Sequence, residues 1–531
     1  MTQLAWIRDV GMYARFATAL PGFFRRRVTL ADARETIRRR LETREARFLS
    51  IAERAIYGHR ESPYLPLLAE AGCELGDLRS LVKERGLEEA LLELRRNGVY
   101  VTFDEIKGRQ PITRGGRELL AGRHSFDNPH LARRYEGESG GSTGTATRIP
   151  YDLTSLLTRV PSYMLGCQAH GVLDAPLGLW RFGLPSLVGV NNALRSVVMG
   201  NPARRWFTPE ARGDLRPALR FRAATGFVVR ASRLLGQPIP LPEPVPIERA
   251  DVVARWAAET AKAEGACLVR ASVSMALRMA LAAEERGIDL GGVTLMGGSE
   301  PVTAAKMRAV ARSGARFVPT YSFTEGGSVG IGCAHPADVD DVHFFSDLLA
   351  LVQHPVRVPG TGAEVQAFCY TTLNPASPLV LLNVEIDDYG VVERRSCGCP
   401  LEDAGFTTHL RGIRSYRKLT GEGVTLVGSD MIRILEEVLP ARFGGGPHHY
   451  QLHEREDADG FTRLVLVVDP SIELESEEAV RRAVLESLAR GSGMEDFARS
   501  LWQLAGSLKI ERRATEWTAR GKYPSLVVGQ V

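Results

Sequence analysis

Along the 531 residues the spacing of apolar positions switches between a helical period and short apolar runs. Residues 30–57, rich in Arg, Glu, Ala and Leu, follow a helical pattern, and Ser62-Pro63-Tyr64 through Leu78 reads as a helix, a loop and a second helix. Segments 151–175, 247–286 and 301–314 also read as helices, whereas runs near 292–296, 316–320 and 364–371 read as strands. Strands alternating with helices predict a layered α/β architecture. Residues 4–24 are mildly apolar, but Arg8, Asp9 and Arg15 interrupt them and Arg25 follows. They lack the basic start, apolar centre and cleavage site of a signal peptide, so a docked helix is expected. Residues 234–246 carry a proline at every second position from Pro238 to Pro246 and predict a stiff surface connector.

From about Ser415 the texture changes. His449 to Val468 gives two strand-like runs around Asp457-Ala458-Asp459-Gly460, a hairpin turn, and Ser476 to Arg490 is an amphipathic helix with Ser476 as its N-cap. The expected organisation is therefore a large α/β domain over 1–414, including a leading helical segment 1–80, and a small α+β domain over 415–531, which the family resemblance given below implies is mobile.

Composition narrows the function classes. Apolar residues at 44% and charged residues at 24% suit a globular protein, and 67 basic against 63 acidic side chains, net +4, are too balanced to argue for nucleic acid. No apolar run approaches the ~20 residues a membrane helix needs. Seven cysteines make no disulfide framework in so long a chain, which suits a reducing cytoplasm. Cys73, Cys167, Cys267 and Cys369 have no partner pattern and read as core; His448, His449 and His453 read as hairpin surface.

Four segments carry candidate chemistry. Residues 139–147, Ser-Gly-Gly-Ser-Thr-Gly-Thr-Ala-Thr, combine three glycines with five hydroxyls, and Tyr135–Glu138 and Arg148–Tyr151 flank them as hairpin arms. Such a loop either offers N–H and O–H donors to a phosphate or is a flexible surface turn, and it lacks the Gly-Lys-Ser/Thr of a Walker loop. Val293 to Pro301 is an apolar strand ending in Gly297-Gly298-Ser299-Glu300; Arg316 to Gly327 is a second, ending in Tyr321-Ser322-Phe323-Thr324-Glu325. Arg520-Gly521-Lys522-Tyr523 puts a lysine on a glycine turn near the C-terminus. Separately, Cys333, His343, Cys397 and Cys399 form a soft S/N donor set that suits tetrahedral zinc, with His335 competing for the histidine place; the alternative is four unrelated residues.

In this order the motifs resemble the adenylate-forming superfamily of acyl-CoA synthetases, adenylation domains and luciferases, and within it the phenylacetate-CoA ligase and coenzyme F390 synthetase branch, from about Ser62 to Lys522. The resemblance implies that Ser142, Thr143, Gly144 and Thr145 cradle the β- and γ-phosphates of ATP and that Gly298, Ser299, Glu300 and Pro301 wall the adenine. It also implies that Tyr321 stacks on adenine, Thr324 binds the α-phosphate and Glu325 holds Mg²⁺. Asp387, one residue of register from Asp388, and Arg414 would contact the ribose, and Lys522 would bridge carboxylate and α-phosphate. Some branch members carry a Cys…Gly-x-His…Cys-x-Cys set where Cys333, His343, Cys397 and Cys399 stand, which implies a closed, structural zinc. This chain departs from the pattern at Thr145 and Ala146, where many relatives have lysine and proline (Arg148 is the substitute cation), at Ser322 for glycine, and at Tyr416 and Arg417 for the acidic hinge pair.

The implied activity is ATP-dependent conversion of a carboxylic acid, aromatic by branch, to an acyl-adenylate with transfer to CoA. Alternatives are transfer to an amine or a carrier-protein thiol, or a non-catalytic nucleotide-binding relative. The expected partners are the small-molecule acid, CoA or a carrier protein, and a second copy in a homodimer, with no nucleic acid and no membrane. Trp180, Phe182 and Phe323 are the aromatic candidates for the acid pocket.

Overall fold

The computed structural model describes residues 16–119, 121–122, 124–131, 135–138, 148–184, 186–209, 219–357, 364–415, 418–421, 424–427, 434–446, 449–456, 462–488, 508–516 and 526–528. Ser142, Thr143, Gly144, Thr145 and Lys522 lie outside these residues, as do His448, Tyr416, Arg417 and Asp457 to Gly460.

One twelve-stranded sheet organises most of the chain. In chain order its strands are β1 (Leu177–Trp180), β2 (Arg205–Thr208), β3 (Pro242–Pro244), β4 (Cys267–Arg270), β5 (Val293–Gly297), β6 (Arg316–Phe323), β7 (Gly327–Gly332), β8 (Val342–Phe344), β9 (Leu349–Arg357), β10 (Glu364–Thr372), β11 (Val384–Arg394) and β12 (Thr408–Ser415). In space they run β9-β10-β11-β12-β8-β7-β6-β5-β4-β1-β2-β3. From β3 to β6 every pairing is parallel, and from β6 to β9 every pairing is antiparallel. β6 thus belongs to both halves, and its carboxyl end, with Tyr321 to Glu325, is where the topology changes. In open α/β sheets ligands lie outside the carboxyl ends of the parallel strands, the end to which β6 contributes this turn; the strand order itself reverses between β1 and β4.

The parallel half follows the rule that βαβ crossovers cover both faces, so its central strands are buried throughout: β1, β4 and β5 have no exposed residue. This is why the helix expected over 247–286 is two helices with a strand between. The helix Ala250–Glu264 ends at Gly265, whose φ of 83° is the left-handed C-cap; β4 follows, and Ser272 caps the helix Val273–Glu285 by accepting from the Met275 N–H. A four-residue strand buried on both faces has no alternation to distinguish it from helix. The proline-rich segment differs too. Pro242–Pro244 is the edge strand β3, a place where a missing N–H is tolerated.

The leading segment is helical as expected, in pieces: Leu30–Glu42, Arg44–Ile51 and a π-helical turn Ala52–Tyr57, then Tyr64–Glu70 and Leu75–Arg85. Residues 16–24 are a helix that docks Phe16, Leu20, Phe23 and Phe24 into the main core. No helix among the described residues is long and apolar enough to cross a membrane.

The chain after β12 builds a second sheet of β13 (Tyr450–Glu456), β14 (Thr462–Val468), β15 (Leu508–Arg512) and β16 (Leu526–Val528), ordered β15-β14-β13-β16, with the helix Glu477–Leu488 against it. The expected hairpin is β13–β14, and Ser476 Oγ accepts from the Ala479 N–H as the expected cap. A separate apolar cluster fills this unit, including Leu439, Tyr450, Leu452, Leu466 and Val484, and it touches the main body at Ile247 and Phe182. His453 corrects the surface reading of that hairpin: it is 3% exposed, and its Nε2 lies 2.9 Å from the Gln451 side-chain oxygen.

Candidate functional site

At the carboxyl end of β6 the side chains divide between the two halves of the sheet. The Tyr321 hydroxyl donates to Asp388 Oδ2 at 2.8 Å, and the Tyr370 hydroxyl from β10 donates to Tyr321 at 3.3 Å. Burial, then the nearby Asp388 carboxylate, push the Tyr321 phenol well above its ordinary range, so it is a fixed neutral donor. Thr324 is half-buried in the turn between β6 and β7, and Glu325 beside it is buried and ion-paired with Lys107. Gly326 packs under the Phe323 ring, where a Cβ would overlap it. Lys107 was not legible in the sequence, because it follows a single-turn helix, Phe103–Ile106, with no motif around it.

The glycine turn after β5 is a close backbone approach. A Cβ on Gly297 would overlap the Ala271 carbonyl and one on Gly298 the Thr320 carbonyl, so the ends of β4, β5 and β6 meet here only as glycine allows. Ser299 continues with a φ of 73°, uncommon for a residue with a side chain. Glu300 is buried and accepts from the Ser274 hydroxyl and N–H, while Pro301 offers its carbonyl to the wholly buried Lys306 at 3.2 Å.

Asp387 and Asp388 are both brought to this region, with different roles in the fold. Asp388 meets Tyr321, whereas Asp387, 2% exposed with a φ of 63°, sits where the β10–β11 register shifts. Arg414 pairs across the strands with Tyr389 and donates to Asp340 at 3.2 Å, and Asp340 also accepts the Gly412 and Ile413 N–H groups. Burial pushes the Glu454 carboxyl on β13 up to about 7, against the pull of Lys306 and Arg414. The arms Tyr135–Glu138 and Arg148–Tyr151 pair antiparallel as expected. Of the aromatic candidates, Trp180 is wholly buried in the core, Phe182 packs against the small unit, and Phe323 alone lies at the turn, 4.9 Å from the Tyr370 ring.

A second constellation lies in the antiparallel half. Cys333 after β7, His343 on β8, and Cys397 and Cys399 in the loop after β11 place one donor atom each within 4.8 Å of one another. His343 Nδ1 is 2.6 Å from the Phe406 carbonyl, which fixes the tautomer and leaves Nε2 facing the sulfurs, at 3.0 Å from Cys399 and 3.6 Å from Cys397. The competing His335 turns away to the Cys397 carbonyl at 2.8 Å. Hydrogen bonds from Cys333 and His343 draw the Cys399 thiol far below its ordinary range. Glu402 secures the loop by accepting from the Cys397 and Gly398 N–H groups and the Ser396 hydroxyl.

Among solved structures, a 2-hydroxyisobutyryl-CoA ligase in complex with 2-HIB-AMP and CoA in the thioesterification state matches 92% of this chain and 90% of its own, with a TM-score of 0.54 and 16% identity. The chain has the adenylate-forming fold. The same ligase in its postadenylation state with 2-HIB-AMP (TM-score 0.44, 14% identity, 92% and 89% covered) and an amide bond synthetase from Marinactinospora thermotolerans (0.41, 11%, 90% and 91%) are further matches. No family model and no curated protein matches the sequence.

Proposed function

We propose that this protein activates a carboxylic acid with ATP to an acyl-adenylate and passes the acyl group to the thiol of CoA. The observation that carries the reading is the convergence at the carboxyl end of β6, the last strand of the parallel half. Tyr321 is held there by Asp388, Glu325 is buried at the turn, and the Gly297–Gly298 backbone approaches closely. In the first step the acid's carboxylate oxygen bonds to the α-phosphorus and the bond to pyrophosphate breaks; in the second the thiol sulfur bonds to the acyl carbon, AMP leaves and the thiol proton is lost.

Tyr321 and the Gly298–Pro301 turn would bracket the adenine, and Asp387 or Asp388 with Arg414 would reach the ribose. Thr324 and the 142–145 loop would donate to the phosphates. Glu325 is a hard oxygen donor that fits magnesium, which would offset phosphate charge, with Lys107 as its counter-ion when the metal is away. Lys522, in a small domain beginning near residue 415, would bridge the reacting carboxylate and α-phosphate. An aromatic acid would set its ring towards Phe323. The Cys333, His343, Cys397 and Cys399 set fits a structural zinc, with four donors and a fixed histidine tautomer. Cytoplasmic location and a homodimer belong to the same proposal.

The test is substitution of Lys522. Lys522→Ala is expected to lower acid-dependent pyrophosphate release by at least about a hundredfold while ATP binding persists; unchanged turnover would remove Lys522 from the mechanism.

A further inference from the structure

On the parallel side of the β6–β7 turn, three guanidinium groups are buried together. Arg159 on the helix Leu153–Ala169, Arg195 on the helix Leu187–Val198 and Arg270 at the end of β4 are 7%, 6% and 5% exposed. Tyr163 is their common neighbour, with Arg195 at 3.6 Å and Arg270 at 4.9 Å from its ring centroid. The Arg159 guanidinium covers Gly327, where a Cβ would overlap it. Arg181, half-buried just past β1, adds a fourth charge and donates to the Ala271 carbonyl at 2.5 Å.

Arg195 and Arg270 bond neutral partners, whereas the Glu300 carboxylate acts on Arg181. Asn192 Oδ1 accepts from Arg195 at 2.8 Å and from Arg270 at 3.0 Å, and the Cys167 sulfur lies 3.6 Å from Arg270. Among the described residues the Nε atoms of Arg181, Arg195 and Arg270 have no hydrogen-bond partner, and Arg159, Arg195 and Arg270 form no ion pair. Burial pushes the Tyr163 phenol up, but Arg195, Arg270 and Arg159 outweigh it and bring it down to about 8. Burial, with repulsion from Arg270, holds Arg195 down to about 10.

Buried charges in proteins are ordinarily paired, because an uncompensated ion loses its hydration. We infer that this cluster receives a second anionic group of the acid substrate, a carboxylate, sulfonate or phosphonate remote from the carboxylate that is activated. The inference rests on the acid-activation reading. Two placements favour the acid over the nucleotide. The cluster adjoins the turn through Gly327 and through Ser328, which bonds Tyr163, whereas Tyr321, Tyr370 and Asp388 meet the same turn from the antiparallel half. Three buried cations also exceed the charge of the single carboxylate that reacts.

Two measurements decide it. In the wild-type protein, millimolar 4-sulfobenzoate, 4-phosphonobenzoate or terephthalate should raise the pH of Tyr163 ionisation, read at 295 nm against Tyr163→Phe, by about one unit, and benzoate should not. In acid-dependent pyrophosphate release, the dianionic acids should exceed benzoate about a hundredfold in kcat/KM, and Arg195→Gln or Arg270→Gln should cut that preference below about tenfold without raising the KM for ATP. Equal activation of benzoate and its dianionic analogues, with Tyr163 unmoved, overturns the inference and leaves acid activation standing. A Tyr163 response to dianions with no pyrophosphate release from any acid upholds the anion site and overturns acid activation.

Discussion

The Cys333–His343–Cys397–Cys399 group and the arginines around Tyr163 are both buried polar clusters, one in each half of the sheet, and they balance charge in opposite ways. In the first, every donor faces the others, His343 is locked by the Phe406 carbonyl, and Glu402 holds the loop that carries two of the sulfurs. In the second, Arg195 and Arg270 share the Asn192 amide oxygen, and the Nε atoms of Arg181, Arg195 and Arg270 have no acceptor among the described residues. A set that closes on itself suits an ion that stays, whereas a set left with excess charge suits an anion that comes and goes. The first holds strands of the antiparallel half together; the second borders the turn where catalysis is proposed.

The sharpest way to break this contrast is to test for the proposed zinc. Purified protein should hold about one zinc per chain by elemental analysis, and a strong chelator or Cys399→Ser should lower the melting midpoint by roughly 5–10 °C. Metal-free protein with an unchanged midpoint would make the four residues an ordinary core. Next in size is the Glu325–Lys107 ion pair. Glu325→Gln removes the anion opposite buried Lys107 and should cost about 3 kcal/mol in denaturant unfolding, most of it restored by adding Lys107→Met; full stability of the single variant would contradict the pairing.

His453 gives a smaller, pH-dependent effect in the second sheet. Burial holds its imidazole down to about 4, below the unfolded value near 6.5, so the unfolded chain binds the extra proton first. Its contribution is full above about pH 6.5 and is lost as pH falls towards 4. A melting curve of the wild type should therefore decline over that window, and His453→Gln should flatten the slope; parallel pH profiles would rule the group out. The smallest expected change is Arg195→Met. Removing an unmatched buried cation should leave stability within about 1 kcal/mol of wild type or raise it, the reverse of Glu325→Gln. A large loss would mean that the stack on Tyr163 is structural.

What the sequence revealed follows from where each feature's physics is local. The hairpin β13–β14, the Ser476 cap and the glycine turn after β5 were legible because turn chemistry and caps are written in adjacent residues. The Cys/His set was legible because sulfur and imidazole are rare enough to notice across long gaps. Strand β4 leaves no signal in the sequence because four wholly buried residues carry no period, and Pro242–Pro244 reads as a connector because only its place at the sheet edge makes it a strand. Lys107 and the buried arginines were invisible for another reason. Arginine and lysine in a helix or turn read as surface, and only assembly of the sheet brings Arg159, Arg195 and Arg270 onto Tyr163.

Acid activation by ATP is the central claim, and pyrophosphate release tests it most directly. Wild-type protein with ATP and magnesium should release pyrophosphate only when a suitable acid is present, across a panel that includes monoanionic and dianionic aromatic and aliphatic acids, and adding CoA should yield the thioester. No acid-dependent release across the panel, from protein that still binds ATP, would contradict the account.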